Sequence, residues 1–249
     1  MINQIFNEDC LEWMKRIPDG SIDCIITDPP YWSTACRWDH VIPFDKMWEQ
    51  LKRIIKPNGA IVLFGSEPFS SALRMSNIKN YRYDWIWDKV IWTDFLNANK
   101  KPLKWFEKIC IFYKKQPTYN PQKTKWTPFI DKRDNVNKER ELKEIYWTKP
   151  KPIIQVNNWD RHPRWFIQIS SRDNKPFHPT QKPVALIEYL IRTYTNEWET
   201  VLDFTIGSGT TAIACINTNR NYIGFELDKW YFDIANERIK NHLNTYWKY

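Results

Sequence analysis

A chain of 249 residues, 42% of them apolar, can bury the core of one α/β domain with an insertion, which excludes disorder throughout. Its five cysteines form no CxxC pair and stand beside no histidine at zinc-ligand spacing, so no metal centre is expected, and their scatter fits a reducing cytoplasm. The formal net charge of +8 is concentrated: residues 114–176 hold 15 Lys+Arg against 7 Asp+Glu, and the rest of the chain is balanced.

In chain order, Asp9 precedes Leu11-Glu12-Trp13-Met14 as a helix N-cap would. The run Ile22–Thr27 is apolar and stops at Pro29-Pro30, which predicts a buried strand. Directly after it stands Asp28-Pro29-Pro30-Tyr31. The prolines stiffen an extended turn and hold a carboxylate and a phenol at fixed separation. An amino group on a flat heterocycle needs acceptors for its N–H donors and a stacking face for its ring. Asp28 and the Pro29 carbonyl can supply the first and Tyr31 the second; the alternative is a loop stop with Asp28 as a cap. Residues 32–42 lack periodicity and are expected to form a loop that closes over a ligand.

An amphipathic helix is predicted over 43–55, a turn at Pro57-Asn58-Gly59, and strands at 60–64, 83–88 and 108–113. Strands alternating with helices imply a mostly parallel sheet covered on both faces. Residues 114–176 break that rhythm and read as an irregular, basic insert. Aromatic residues run through it, including Tyr119, Trp126, Phe129, Tyr146, Trp147, Trp159, Trp165 and Phe166. Basic charge interleaved with flat side chains favours a nucleic-acid surface over a solvated loop. Lys123, Lys125, Lys132 and Arg133 are the candidate phosphate contacts. Arg161, Arg164 and Arg172 are the candidate base readers, because Arg can pair with guanine through two bonds.

The α/β pattern resumes with a helix over 183–195, a strand at 200–203, a helix at 209–218, a strand at 222–225 and a helix over 228–243. The turn Asp203-Phe204-Thr205-Ile206-Gly207-Ser208-Gly209-Thr210-Thr211 joins a strand to a helix start, where a ligand meets helix N–H groups. Glu226 ends the next strand and can accept from both hydroxyls of a ribose. Together they point to a nucleoside-containing cofactor. A dinucleotide stays open, although the missing third glycine leans away from it.

The tetrapeptide at 28–31, the segment His178-Pro179-Thr180-Gln181-Lys182-Pro183 and the turn at 203–211 resemble, in that order, the motifs of the β-class amino-methyltransferases of DNA. The resemblance covers nearly the whole chain outside 114–176. It implies a Rossmann-like α/β fold, a seven-stranded methyltransferase sheet with one reversed strand. The catalytic half would be 1–113, the target-recognition insert 114–176 and the cofactor half 177–249. It implies S-adenosylmethionine as cofactor, bound by Asp203, Thr205, Gly207, Gly209, Thr210 and Glu226. Asp9 and Cys10 would border the adenine ring, and Lys182 and His178 the methionine end. Thr205 departs from the family, which often carries Phe there.

Asp28, Pro29, Pro30 and Tyr31 would be the catalytic group. In the family, Asp at the first of these positions leans toward N6 of adenine and Ser toward N4 of cytosine. The alternatives are N4-cytosine methylation and an inactive DNA-binding module of the same fold. The implied partner is double-stranded DNA, with a homodimer left open and no partner nuclease named. No signal peptide or membrane span is apparent, which sets the expectation of a soluble cytoplasmic protein.

Overall fold

The computed structural model describes residues 2–31, 40–125, 160–172 and 180–246. Their contacts divide into one unit of 1–120 with 164–249 and a second of 121–163.

The first unit is built on an eight-stranded sheet. In chain order its strands are β1 (Gln4–Phe6), β2 (Ile22–Thr27), β3 (Ile55–Gly65), β4 (Tyr81–Thr93) and β5 (Lys104–Phe112), then β8 (Phe166–Gln168), β9 (Thr200–Asp203) and β10 (Asn221–Phe225). In the second unit β6 (Thr124–Lys125) and β7 (Asp160–Arg161) form a short antiparallel ribbon. The large sheet runs β1-β10-β9-β2-β3-β5-β4-β8. All its pairings are parallel except the two that flank β5, so β5 is the one reversed strand. Three-residue β8 adds an edge strand to the seven expected.

Alternation explains why the strands read as unbroken apolar runs. Cys24 and Ile26 of β2, Ala60, Val62 and Phe64 of β3, and Ile109 and Ile111 of β5 face one layer. Ile25, Ile61, Leu63, Cys110 and Phe112 face the other. The first layer holds α4 (Val184–Tyr194), α5 (Thr210–Asn217) and α6 (Lys229–Tyr246). The second holds α1 (Cys10–Met14), α2 (Phe44–Ile54) and α3 (Phe69–Ser76). Both faces of the sheet are thus covered, and strand side chains of either parity are buried. Helix α2 shows the matching helical period: Met47, Trp48, Leu51 and Ile54 form its buried stripe. Each such side chain contributes about 1.5–3 kcal/mol by leaving water.

The predicted turn at Pro57-Asn58-Gly59 is a bulge inside β3. Ile22 pairs with Ile55 and Cys24 with Ala60, so the residues between Ile55 and Ala60 are taken up without interrupting the strand.

Strands β2 and β9 are neighbours, with Cys24 opposite Val201 and Ile25 opposite Leu202. The chain leaves β2 toward β3 and leaves β9 toward β10, in opposite directions along the sheet. That makes the carboxyl ends of β2 and β9 a topological switch point, where open α/β sheets leave a crevice for ligands. No described helix is long and apolar enough to cross a membrane.

Candidate active site

The crevice is a cavity of about 480 Å³ at those strand ends, within the range of small-molecule sites. Asp28 to Tyr31 and Asp203 to Ser208 both line it, together with Asp9, Cys10, Lys182, Thr210 and Glu226. Residues about 175 apart in sequence therefore share one wall.

Asp203 ties the two strand ends together. Its Oδ1 accepts from the Thr27 hydroxyl at 3.0 Å and the Thr205 N–H at 3.1 Å, and its Oδ2 accepts from the Thr211 hydroxyl at 2.5 Å. Burial pushes its carboxyl up to about 7 against the pull of those donors. The Thr205 hydroxyl donates to the Asp28 carbonyl at 3.0 Å. At this position a side chain thus couples the glycine turn to the Asp-Pro-Pro-Tyr turn.

Glu226 sits where β10 ends. Its Oε2 accepts from the Gly207 N–H and its Oε1 from the Asp228 N–H, each at 2.9 Å. Burial raises its pKa and the two backbone donors oppose that rise. Gly207 lines the cavity at φ 55°, a left-handed conformation natural to glycine. Gly209 is placed differently. It is the N-cap of α5 at φ 82°, outside the cavity lining, and a Cβ there would stand 3.2 Å from the Ala235 Cβ. Its lack of a side chain serves helix packing, because α6 lies against it.

Asp9 caps α1 through Oδ1, accepting from Leu11 at 2.8 Å and Glu12 at 3.1 Å, and also lines the cavity. Burial holds the Cys10 thiol at about 12, so it is a neutral wall. The Thr210 hydroxyl accepts from Arg238 at 3.0 Å, and Arg238 also donates to the Ser208 carbonyl at 3.1 Å.

At the other end of the cavity both oxygens of Asp28 are engaged. Tyr31 donates its phenol to Oδ1 and Lys182 its ammonium to Oδ2. The Tyr31 ring stacks on Phe69, with centroids 4.9 Å apart. Lys182 also lies 3.5 Å from Glu107, which in turn pairs with Lys89. Burial raises the Asp28 carboxyl despite the attraction of Lys182. Burial alone would lower the Lys182 ammonium, but Asp28 and Glu107 outweigh it and hold it above its ordinary value. Burial would likewise raise Glu107, but Lys182 and Lys89 pull it down to about 2. Lys182 thus contacts the tetrapeptide carboxylate.

Sequence reasoning missed Glu107 and Arg238. An acid inside the apolar strand Lys104–Phe112 was the available signal for Glu107. Arg238 gave none, since a lone Arg on a polar helix is ordinary.

Among the candidate DNA contacts, Lys123, Lys125 and Arg161 lie in the second unit and Arg164 and Arg172 in the first. Lys123, Lys125, Arg164 and Arg172 are exposed. Lys132, Arg133, His178 and residues 32–39 lie outside the described residues.

A nucleoside cofactor fits the donor set at the β9–β10 side: a buried strand-end carboxylate, a glycine with φ above zero, and an uncharged thiol wall. The fold and this crevice define an α/β protein of the methyltransferase architecture. Residues 22–237 match the DNA methylase family. The orphan methyltransferase M.BamHII of Bacillus amyloliquefaciens is 31% identical over 256 residues, 92% of this chain and 92% of that protein. The type II methyltransferase M.HinfI of Haemophilus influenzae is 28% identical over 273 residues, 96% of this chain and 68% of that protein. Among solved structures, the M1.HpyAVI–SAM complex superposes with a TM-score of 0.62 at 27% identity, covering 94% of this chain and 98% of that one. The chain belongs to the DNA methylase family, within the β class of DNA amino-methyltransferases.

Proposed function

We propose that the chain methylates N6 of adenine at a specific sequence in duplex DNA, with S-adenosylmethionine as methyl donor. The observation that carries this reading is the single cavity shared by Asp28–Tyr31 and the glycine turn with Glu226.

On this reading Glu226 holds the ribose hydroxyls, Asp9 and Cys10 border the adenine ring, and Gly207 admits the backbone to the cofactor. Asp203, Thr205 and Thr210 shape the methionine side, and Lys182 acts at Asp28. The cofactor supplies a methyl group on a sulfonium. A base inside a duplex cannot reach this cavity, so it is extruded, at a cost of a few kcal/mol in stacking and pairing. Its ring stacks on Tyr31. Its amino group donates to Asp28 and to the Pro29 carbonyl, which localises the nitrogen lone pair.

Each carboxylate oxygen has two lone pairs, so the bonds from Tyr31 and Lys182 leave Asp28 able to accept again. The bound cofactor would supply the methyl carbon, and the nitrogen held by Asp28 and the Pro29 carbonyl would displace its sulfur, which would leave with the electron pair of the carbon–sulfur bond. The nitrogen then releases a proton to Asp28 or solvent. Acceptors already in place lower the barrier without reorganisation. The basic segment 114–176 acts as the target-recognition region, with Lys123, Lys125, Lys132 and Arg133 on phosphates and Arg161, Arg164 and Arg172 on bases.

Adenine is favoured by Asp28, following the family's pattern at that position. Two variants test the division of the cavity. Asp28→Ala should keep cofactor affinity and lose most methyl transfer. Glu226→Ala should weaken cofactor binding by roughly 1.5–3 kcal/mol, the worth of hydrogen bonds to a charged group. Calorimetry and tritium transfer to DNA measure the two effects. Near-normal turnover by Asp28→Ala would refute the catalytic assignment. Chromatography of nucleosides from methylated DNA decides the base: N4-methylcytosine would replace the adenine reading.

A further inference from the structure

Gly65, the last residue of β3, pairs with Lys108, and Lys108 also faces Ile86 of β4. Beyond that level β4 and β5 run on together past the end of β3 as an arm, flanked by β8 on the outer side of β4 as far as Asp88. On the β5 side the overhang is the four residues from Lys108 to Lys104, about 13 Å at the rise of a strand. It projects from the carboxyl end of β3. Thr27, which immediately precedes Asp28, pairs with Leu63 at that same end. Glu107, at the base of the arm, and Lys104, where its paired stretch ends, line the cavity. The arm therefore rises beside the mouth of the catalytic site.

Its tip is apolar and uncovered: Trp92 is 62% exposed, Phe95 64% and Leu96 99%. Val90 and Asp94 hold φ angles of 64° and 76°, and a β-branched residue in that region is rare. The exposed charges along the arm and the adjoining 164–172 edge are Lys100, Lys101, Arg164 and Arg172. Asp94, the acid at the tip, is half-buried and paired with Lys101 at 2.6 Å. A two-fold contact between copies would set this basic rim against itself, whereas a polyanion would complement it.

We propose that the β4–β5 arm is a wedge for duplex DNA. Trp92, Phe95 and Leu96 enter the base stack next to the extruded base, and the lysines of the basic rim, Lys100 and Lys101, face the phosphates. Apolar side chains inserted between base steps unstack them, and the arm thereby lowers the work of extrusion. This inference rests on reading the cavity as the site of an extruded base.

The test combines Trp92→Ala, Phe95→Ala and Leu96→Ala in the full chain, with unmethylated bacterial chromosomal DNA as methyl acceptor. All three side chains are exposed, so the thermal melt and cofactor affinity should match wild type. Single-turnover methyl transfer should fall about tenfold or more, as loss of base–aromatic stacking implies. Permanganate oxidation of unstacked thymines around the methylated positions should fall with it. Wild-type rate and an unchanged permanganate pattern in the triple variant would overturn the wedge while leaving the catalytic reading intact. A wild-type dimer that the triple variant converts to monomer in sedimentation would overturn it in favour of self-association. If the wild type transfers no methyl to DNA, the catalytic reading fails and the wedge with it.

Discussion

Asp28 stands between Lys182 and Tyr31, and Glu107 stands behind Lys182. This chain of contacts makes the pH dependence of the reaction a test of who controls the carboxylate. On the proposed reading Asp28 must be ionised to accept from an amino group, and burial raises its pKa. The rate should therefore rise with pH through the Asp28 pKa, giving an acid limb above the usual range of an aspartate. Glu107 raises Asp28 by its negative charge and Lys182 lowers it. Glu107→Gln should then move the acid limb to lower pH, and Lys182→Met should move it to higher pH and slow the reaction. Single-turnover rates measured across pH check both signs. A structural role alone would lower the melting temperature of each variant and leave the limb in place, and a common direction of shift would sink the electrostatic account.

The two glycines of the turn do different work, and this shows how elements and site are joined. Gly207 lines the cavity, whereas Gly209 caps α5 at φ 82° against α6. Gly209→Ala should destabilise the fold by about 1–2 kcal/mol for the left-handed conformation alone, with cofactor affinity unchanged in the folded fraction. Gly207→Ala should weaken cofactor binding instead. Urea denaturation and calorimetry separate the two, and interchanged effects would refute the assignment.

The central elements were legible because burial on both faces makes β2 and β9 mostly apolar as far as Ile26 and Leu202, and both strands fall where the sequence puts them. Strand β1, with three residues, is too short to show a period. Helix α3 buries only Phe69, Ser70 and Leu73, too few to read as a stripe. Strands β4 and β5 exceed their predicted lengths because charged Asp88, Lys89, Lys104 and Glu107 interrupt the apolar run where the arm leaves the core. The tetrapeptide and glycine turn were legible because their chemistry is local in sequence. The Asp28–Lys182 pair spans 154 residues, and the contact of Lys182 with Glu107 exists only once β5 is in place.

At the scale of the molecule, the excess charge of +8 sits in 114–176, while the rest of the chain is neutral. If that segment faces DNA, affinity should fall steeply with salt, by about 0.9 in log K per log salt for each phosphate neutralised. Lys123 and Lys125 are exposed, and Lys125 faces Asp160 across the β6–β7 ribbon, which offsets part of its charge. Lys123 should therefore weigh more than Lys125. Replacing Lys123, Lys125, Lys132 and Arg133 together by Gln should flatten the salt slope and weaken binding to all sequences alike. Losing a base reader among Arg161, Arg164 and Arg172 should instead relax the preference at one position, as seen by sequencing the methylated sites. Salt titrations of wild type and the four-site variant, followed by anisotropy of a labelled duplex, compare the slopes. Equal slopes would mean that the lysine-rich stretch does not face DNA and that the phosphate contacts belong to the basic rim of the other unit.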